Sequence, residues 1–317
     1  MSGQTHGSAG MRSVASAVDQ LPVLPSVVSR MLTLDPAAEG YFDAVLSIAE
    51  EDPTFAVRVI RLANSPTSAP TKPIVSVRQA VVRLGARECA ALVTALSVSR
   101  VFIPTTQGQR NLWVHALQTA VAARTIAAIP AARRCSPEQA YLAGLLHDIG
   151  RFVMFEAAAN DLGRVDETHW SSPQQLLDVE TRLLGYDHAQ LGAAVCKRWL
   201  LPDAVTELVR LHHVAEVPAS LGASEFGHLL RVVQMADMFS VTMMVDPDLV
   251  ARPLDQLAGI LETRLAHPGW GSPPAPPALL ARRARGIVEE AAELAAHLLE
   301  LRVPTIPART RVAAAAQ

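Results

Sequence analysis

The stretch GLLHDIGRF, residues 144–152, decides how the fold and the chemistry of this chain are interpreted. An apolar run leads into His147 and Asp148, and an Ile-Gly pair follows them. Histidine and aspartate both bind hard or borderline divalent cations, and together they can hold a metal ion that activates water. Because two residues are weak evidence by themselves, the rest of the chain has to supply further ligands.

Further histidine and aspartate residues lie on the predicted helices before and after this pair. Asp237 has Ala236 and Met238 beside it, and a buried carboxylate without a partner costs roughly several kcal/mol. A metal ion would compensate this carboxylate, and so would a salt bridge or a helix-cap contact. The candidate metal ligands are His115, His147, Asp148, His188, His212, His213 and Asp237.

Most of these residues also have an explanation that needs no metal. His212 and His213 could cap the C-terminus of a helix, where histidine is favourable. His115 could be a hydrogen-bonded core histidine. Asp148 differs, since the C-terminal end of a helix is unfavourable for a carboxylate unless a cation or hydrogen bonds compensate it. The residues alone leave open whether the set binds metal or is the scaffold of a binding module.

The composition predicts a globular, helical protein. Of 317 residues, 50% are hydrophobic, 18% are charged and 4% are aromatic, which favours close-packed helices over disorder. The net charge of −2 gives no general attraction to nucleic acid. The first residues lack an apolar signal core, and the apolar runs are too short to span a bilayer. The three cysteines are far apart, as expected for reduced thiols. We expect a cytoplasmic protein without nucleic-acid or membrane partners.

Helix start signals are frequent along the chain. Asp52-Pro53, Ser136-Pro137 and Ser172-Pro173 each combine an N-cap side chain with proline at the first helical position. A further helix is expected over residues 111–129, carrying His115. No segment shows a convincing alternation of period two, so the sequence predicts an all-α fold without a substantial sheet.

Five stretches resemble successive parts of the HDOD family, the HD-related output domain of bacterial signalling proteins. They are LPVLPSVVSRMLTL (21–34), EEDPTFAVRVIRLANSP (50–66), VRQAVVRLGAREC (77–89), YLAGLLHDIGR (141–151) and GYDHAQLGAAVCKRWLLPDAVTELVRLHH (185–213). The resemblance runs from about residue 20 to 215. The stretch VVQMADMFS (232–240) continues the pattern of the wider HD superfamily. This ordered series is far more specific than the His-Asp pair.

The resemblance implies an all-α fold in two lobes, in which an N-terminal helical lobe packs on a lobe similar to HD phosphohydrolases. Together with the proline-rich stretch near residue 270, it gives the expected organisation of the chain. The expected segments are a disordered tail (1–20), an HDOD domain (21–266) with an N-terminal lobe (21–105) and an HD-like lobe (106–266), a linker (267–277), an amphipathic helix (278–302) and a second tail (303–317).

The resemblance also implies roles for the histidines and aspartates. The four metal-ligand positions of the HD superfamily correspond to His115, His147, Asp148 and Asp237. The additional histidines of the related HD-GYP phosphodiesterases, which act on cyclic di-GMP, correspond to His188, His212 and His213.

This chain departs from the HD-GYP pattern at three places. No Gly-Tyr-Pro sequence follows the His212-His213 pair, where the chain reads VAEVPASLG (214–222). Arg151 and Val241 each occupy a position where those phosphodiesterases carry lysine. Both replacements alter how substrate phosphates would be held.

Two functions remain open. The first is a regulatory output protein, standing alone without a receiver, GGDEF or EAL domain, that binds a ligand or a protein partner in a signalling pathway. The second is a metal-dependent phosphohydrolase acting on a nucleotide or cyclic dinucleotide. It would use iron, manganese, zinc or magnesium, with Asp148 and Arg151 as catalytic residues. The helix over 278–302 would either pack back on the domain or join two copies as a homodimer.

Overall fold

The computed structural model describes residues 26–66, 68–129, 134–157, 162, 165, 173–215, 224–267 and 272–299. Within these ranges every regular element is helical and no strand occurs, which confirms the predicted all-α fold. The two predicted tails lie outside the described residues, as does the middle of the predicted linker.

Fourteen α-helices are labelled here in chain order. Those of the N-terminal lobe are α1 (Ser26–Thr33), α2 (Tyr41–Glu51), α3 (Pro53–Ala63), α4 (Val77–Leu84) and α5 (Ala86–Ser99). Those that follow are α6 (Gln107–Ala127), α7 (Pro137–Leu146), α8 (Ile149–Ala157), α9 (Pro173–Leu184), α10 (His188–Arg198), α11 (Asp203–Leu211), α12 (Glu225–Val245), α13 (Leu254–Arg264) and α14 (Pro277–Leu299). A short 3-10 helix, Pro247–Ala251, links α12 to α13.

Two of the three predicted start signals act as caps in the structure, and Ser172 of the third lies outside the described residues. The Asp52 side chain accepts a hydrogen bond from the Thr54 amide at 2.8 Å and starts α3. The Ser136 side chain accepts from the Glu138 and Gln139 amides and starts α7. Each cap satisfies backbone amides that have no partner inside the helix, so these two boundaries are local properties of the sequence.

The start of α6 was predicted four residues too late. The helix begins at Gln107 and not at Asn111, because Thr106 and Gln109 form a capping box. The Thr106 side chain accepts from the Gln109 amide, and the Gln109 side chain accepts from the Thr106 amide at 2.9 Å. This start signal uses threonine and glutamine and has no proline at the first helical position.

Helix α6 is the centre of the molecule. It packs along α7, α12 and α14, and most of its residues between Leu112 and Ala127 are buried. Small residues such as Ala116, Ala120 and Ala123 let the neighbouring helices approach closely. The close approach places both ends of α6 against other helices, and its N-terminal half carries His115.

The C-terminal helix packs back on the same chain. Ile287, Ala291, Leu294 and Leu298 of α14 are buried, and the helix contacts α6, α13 and α5. The apolar face that could have joined two copies is therefore covered within one chain. In the part of the chain that the structure describes, no helix is long and apolar enough to cross a membrane.

One ion-pair cluster ties α14 to both lobes. Arg124 of α6 donates to Glu88 of α5 at 2.5 Å and also to Glu290 of α14. Its guanidinium lies 5.3 Å from the centroid of the Tyr141 ring on α7. Only 20% of the Arg124 side chain is exposed, so water screens these charges weakly.

Replacing Arg124 with methionine is expected to lower the free energy of unfolding by about 1–3 kcal/mol, because two partly buried carboxylates would lose their shared cation. Denaturant unfolding followed by circular dichroism measures the change. Arg285→Met is the control, since Arg285 pairs only at 3.6 Å with the half-exposed Glu289 and should change stability by less than about 0.5 kcal/mol. Equal effects of the two substitutions would contradict a structural role for the cluster.

Candidate metal centre

The structure brings all seven candidate ligands together at one buried place. They come from helices that are far apart in sequence: His115 from α6, the His147-Asp148 pair between α7 and α8, His188 from α10, the His212-His213 pair after α11, and Asp237 from α12. Metal-ligating atoms of Asp148, His188, His212 and His213 lie within 4.8 Å of one another, as do those of His115, His147 and Asp148. This convergence could not be read from spacing, because the seven residues come from five separate places along the chain.

The first group of donors is His115 with His147, called here the His115–His147 half. Their Nε2 atoms are 3.2 Å apart. The His147 Nδ1–H donates to the Gly144 carbonyl at 2.7 Å, and His115 Nδ1 lies 3.0 Å from the Ser240 hydroxyl. Because His147 Nδ1 carries the proton, the Nε2 of the neutral ring turns a lone pair toward the centre, and His115 Nε2 faces the same place.

The second group is His188 with His212, called here the His188–His212 half. Their Nε2 atoms are 3.3 Å apart. The His212 Nδ1–H donates to the Val209 carbonyl at 2.7 Å, and the His188 Nδ1–H donates to the Glu180 carboxylate at 2.6 Å. The two halves therefore have the same hydrogen-bond pattern, with Nδ1 anchored and Nε2 facing inward.

Asp148 lies between the two halves. Its Oδ2 is 3.6 Å from the Nε2 atoms of both His115 and His147. Its Oδ1 is 3.3 Å from His188 Nε2 and 3.5 Å from His212 Nε2. Buried Oδ1 accepts a hydrogen bond from no described residue. One carboxylate could thus serve a cation in each half.

Asp237 makes a weaker connection of the same kind. Its Oδ1 is 3.3 Å from His115 Nε2, and its Oδ2 is 3.9 Å from His213 Nδ1. Asp237 is 7% exposed. Its apolar neighbours in the sequence had marked it as a carboxylate that needs a partner, and the surrounding imidazoles are those partners.

The donor geometry fits a divalent cation. Two neutral imidazoles that present lone pairs to each other at 3.2–3.3 Å repel one another unless a cation or a proton lies between them. With metal–nitrogen bonds of about 2.0–2.1 Å, two ligand nitrogens lie about 2.8–3.4 Å apart for angles between 90° and tetrahedral. The unpartnered Asp148 Oδ1 and the anchored Nδ1 atoms add the features of a prepared site.

The electrostatics keep His147, His213 and Asp148 in the forms that bind metal. Burial lowers the pKa of His147 to about 4, so its ring is neutral. Burial, together with the neighbouring His212 and His188, holds the pKa of His213 well below its ordinary value. Burial opposes ionisation of Asp148, but the surrounding histidines outweigh it and hold the pKa of this carboxyl well below its ordinary value. Neutral imidazoles and an ionised carboxylate are the species a metal requires.

Glu180 was missed by the sequence analysis. It lies on α9, is 0% exposed, and its Oε2 accepts from both the backbone amide and Nδ1 of His188, at 2.9 and 2.6 Å. The available signal was its position beside Val179 and one turn after Leu176, on the apolar face of the predicted helix. A carboxylate behind a histidine fixes the orientation of the ring and raises its basicity.

Replacing Glu180 with alanine is expected to weaken metal binding in the His188–His212 half by about 10–100-fold, because His188 would lose the group that orients it. Competition against a chromophoric chelator measures the affinity. Glu207→Ala on α11 is the control, since its surface pair with Arg210 at 2.5 Å is remote from the ligand atoms. An unchanged affinity in Glu180→Ala would show that His188 needs no orienting carboxylate.

Arg151 and Val241 border the centre. Burial opposes protonation of His115 and His188, but neighbouring carboxylates outweigh it and raise the pKa of both rings, Asp237 at His115 and Glu180 at His188. The charge of half-buried Arg151 on α8 counteracts part of that rise. Val241 is 41% exposed and stands one helical turn after Asp237 on α12. The exposed position one helical turn after Asp237 is therefore apolar.

The chain resembles known proteins in sequence. A family model described as the HDOD domain matches residues 21–215. An uncharacterized protein of Treponema pallidum (strain Nichols) is 27% identical over 240 residues, covering 74% of this chain and 45% of that protein. The chain thus spans less than half the length of the curated relative that it matches.

Two solved structures resemble the whole fold. An HDOD domain protein of unknown function from Geobacter sulfurreducens is 25% identical, with a TM-score of 0.65, and the match covers 92% of this chain and 98% of that one. A candidate phosphohydrolase from Shewanella amazonensis SB2B is 24% identical, with a TM-score of 0.66, covering 90% and 98%. At that identity the second likeness concerns the fold alone.

Proposed function

This chain belongs to the HDOD domain family, and from that membership we propose that it is a regulatory module of bacterial signalling that acts by binding. The bound species is a ligand or a protein partner, and the centre around Asp148 holds a divalent metal as part of the module. A third structural relative supports this direction, since it is a candidate signal transduction protein from Marinobacter aquaeolei VT8, 20% identical with a TM-score of 0.60, covering 93% of this chain and 67% of that one. At that identity the likeness shows the fold alone, and the signalling role is carried over from its name as part of the proposal.

The enclosure of the centre carries the proposal. His147 and His188 are 0% exposed, His212 is 2%, Asp148 is 5% and Asp237 is 7%. A catalytic metal keeps an open coordination position toward its substrate, whereas a structural metal is closed off by protein ligands. The described surroundings of the centre favour the closed type.

The second candidate function is a metal-dependent phosphohydrolase, and the position of Asp148 between two donor groups is the observation that favours it. A metal pair in such a site, when bound, would supply an activated water for attack on phosphorus. In that case His115, His147, Asp148 and Asp237 would hold one cation, and His188, His212 and His213 the other. Arg151 would stabilise the charge that develops on the phosphate.

Metal content and turnover separate the two functions. Protein purified without chelator is analysed for metal and then incubated with a panel of nucleotides and cyclic dinucleotides. The proposal expects bound divalent metal, such as iron, manganese, zinc or magnesium, without turnover. Hydrolysis by the metal-loaded protein that disappears in Asp148→Asn would overturn the regulatory proposal and establish the enzyme.

A further inference from the structure

A cavity of about 830 Å³ lies between the two lobes, apart from the metal centre. Helices α1, α2 and α5 line it from the N-terminal lobe, and α6, α7, α11 and α12 line it from the other side. None of the seven centre residues belongs to its described lining. The volume falls in the range of about 300–1,000 Å³ that small-molecule sites occupy.

Four helices connect this cavity to the metal centre. Each lines the cavity with at least one residue and carries a centre residue elsewhere along the helix or directly after its end. The pairs are Arg124 and His115 on α6, Leu142 and His147 for α7, Val205 and His212 for α11, and Phe226 and Asp237 on α12. At 1.5 Å per residue, these pairs place the two sites about 8–16 Å apart. A molecule in the cavity would press on the same rigid helices that position the metal ligands.

The basic charges of the cavity wall are already paired, and the two remaining acidic residues of the described lining, Asp35 and Glu225, are exposed to solvent. Arg87 of α5 contacts Glu138 of α7 at 3.0 Å, across the two lobes, and Arg124 is shared between Glu88 and Glu290. Among the described lining residues these are the two basic side chains. No cation in this lining is therefore left over to hold a phosphate, and an uncharged occupant fits better.

The apolar part of the wall is rich in rings. The chain has three tyrosines, and two of them, Tyr41 and Tyr141, line this cavity together with Phe226. In a chain with 4% aromatic residues, this gathering favours a flat, ring-containing occupant. Burial and the nearby charge of Glu138 raise the pKa of Tyr41 to about 12, so its hydroxyl stays a neutral hydrogen-bond donor.

We propose that the cavity between the lobes binds an uncharged, ring-containing small molecule with a hydrogen-bonding edge. The rings of Tyr41, Tyr141 and Phe226 contact its faces, and the Arg87–Glu138 pair offers a donor and an acceptor to its edge. This inference rests on the proposed regulatory function and gives it a ligand class. The phosphate-bearing substrates of the second candidate function would not suit this wall.

Binding of the neutral fluorophore 1-N-phenylnaphthylamine to the full chain tests the proposal. We expect saturable binding of one probe per chain, with at least a tenfold loss of affinity in Ala90→Trp and Ala204→Trp, which place a large side chain in the cavity from opposite walls. Ala204 is exposed, so its variant should fold even if the half-buried Ala90 does not tolerate tryptophan. The control is Val82→Trp on α4, an exposed position outside the cavity.

Absence of saturable binding, or equal binding in wild type and both filling variants, would overturn the proposal. Neither result would alter the metal content or the turnover, so failure of the cavity is distinguishable from failure of the proposed function. The connection to the centre has its own test. Because coupling between two sites is reciprocal, metal-loaded and chelator-treated protein should differ in probe affinity, and equal affinities would refute the coupling.

Discussion

Replacing Asp148 with asparagine is expected to lower the metal affinity of the centre by about 100-fold or more. The substitution keeps the shape of the side chain but removes the charge that faces four imidazole Nε2 atoms at 3.3–3.6 Å. Loss of a supporting residue around a metal site costs about 10–100-fold, and in the proposed centre Asp148 would be a direct ligand shared by both halves. Isothermal titration with a divalent metal measures the change.

The same substitution has a stability signature. Metal at about 1,000 times its Kd stabilises a folded protein by about 4.1 kcal/mol, and at about 10 times its Kd by about 1.4 kcal/mol. A 100-fold weaker affinity should therefore remove about 2.7 kcal/mol of the metal-dependent stability. Asp43→Asn is the control, since the Asp43 side chain is 75% exposed and pairs only with Arg78. Unchanged metal-dependent stabilisation in Asp148→Asn would remove Asp148 from the ligand set.

Replacing Gly150 with alanine is expected to destabilise the protein by at least about 4 kcal/mol, or to prevent folding. A Cβ atom at Gly150 would lie 1.9 Å from the His188 carbonyl oxygen and 2.8 Å from the Gly192 amide nitrogen. Both neighbours are backbone atoms of α10, so no side-chain rotation can relieve the clash. Helices α8 and α10 would have to separate, and His188 would move away from the metal centre.

Gly259→Ala is the matched control for this prediction. Gly259 lies on an exposed face of α13, and a Cβ atom there would meet nothing within 4 Å. Alanine has the higher helix propensity, so this change should raise stability by about 0.5–1 kcal/mol. Denaturant unfolding of both variants gives the comparison. A Gly150→Ala protein within about 1 kcal/mol of wild type would show that α8 and α10 are not in backbone contact.

The local elements of the fold could be predicted well from the sequence. Start signals such as Asp52-Pro53 and Ser136-Pro137 act through hydrogen bonds to amides two or three residues away, so a short stretch contains all the information. The missing period-two alternation excluded a substantial sheet for the same reason. The start of α6 was predicted too late, because its capping box consists of Thr106 and Gln109 and has no proline after the cap.

The candidate metal centre could be predicted only in part from the sequence. The residue types nominated seven side chains, because aspartate and histidine among apolar neighbours need a partner. Glu180 was not predicted, because its partner His188 begins the next helix and no local pattern shows that the two side chains are in contact. The close approach of Gly150 to α10 and the burial of the α14 apolar face were equally hidden.

By itself, the sequence determined the helices, their caps and the set of residues able to bind a cation, because these depend on chemistry within a few positions of the chain. Only the tertiary structure decided that Asp148 stands between two imidazole groups, that α14 packs on its own chain, and that a cavity shares four helices with the centre. Those arrangements depend on distances between residues that are far apart in sequence, and the packing of the whole core sets these distances.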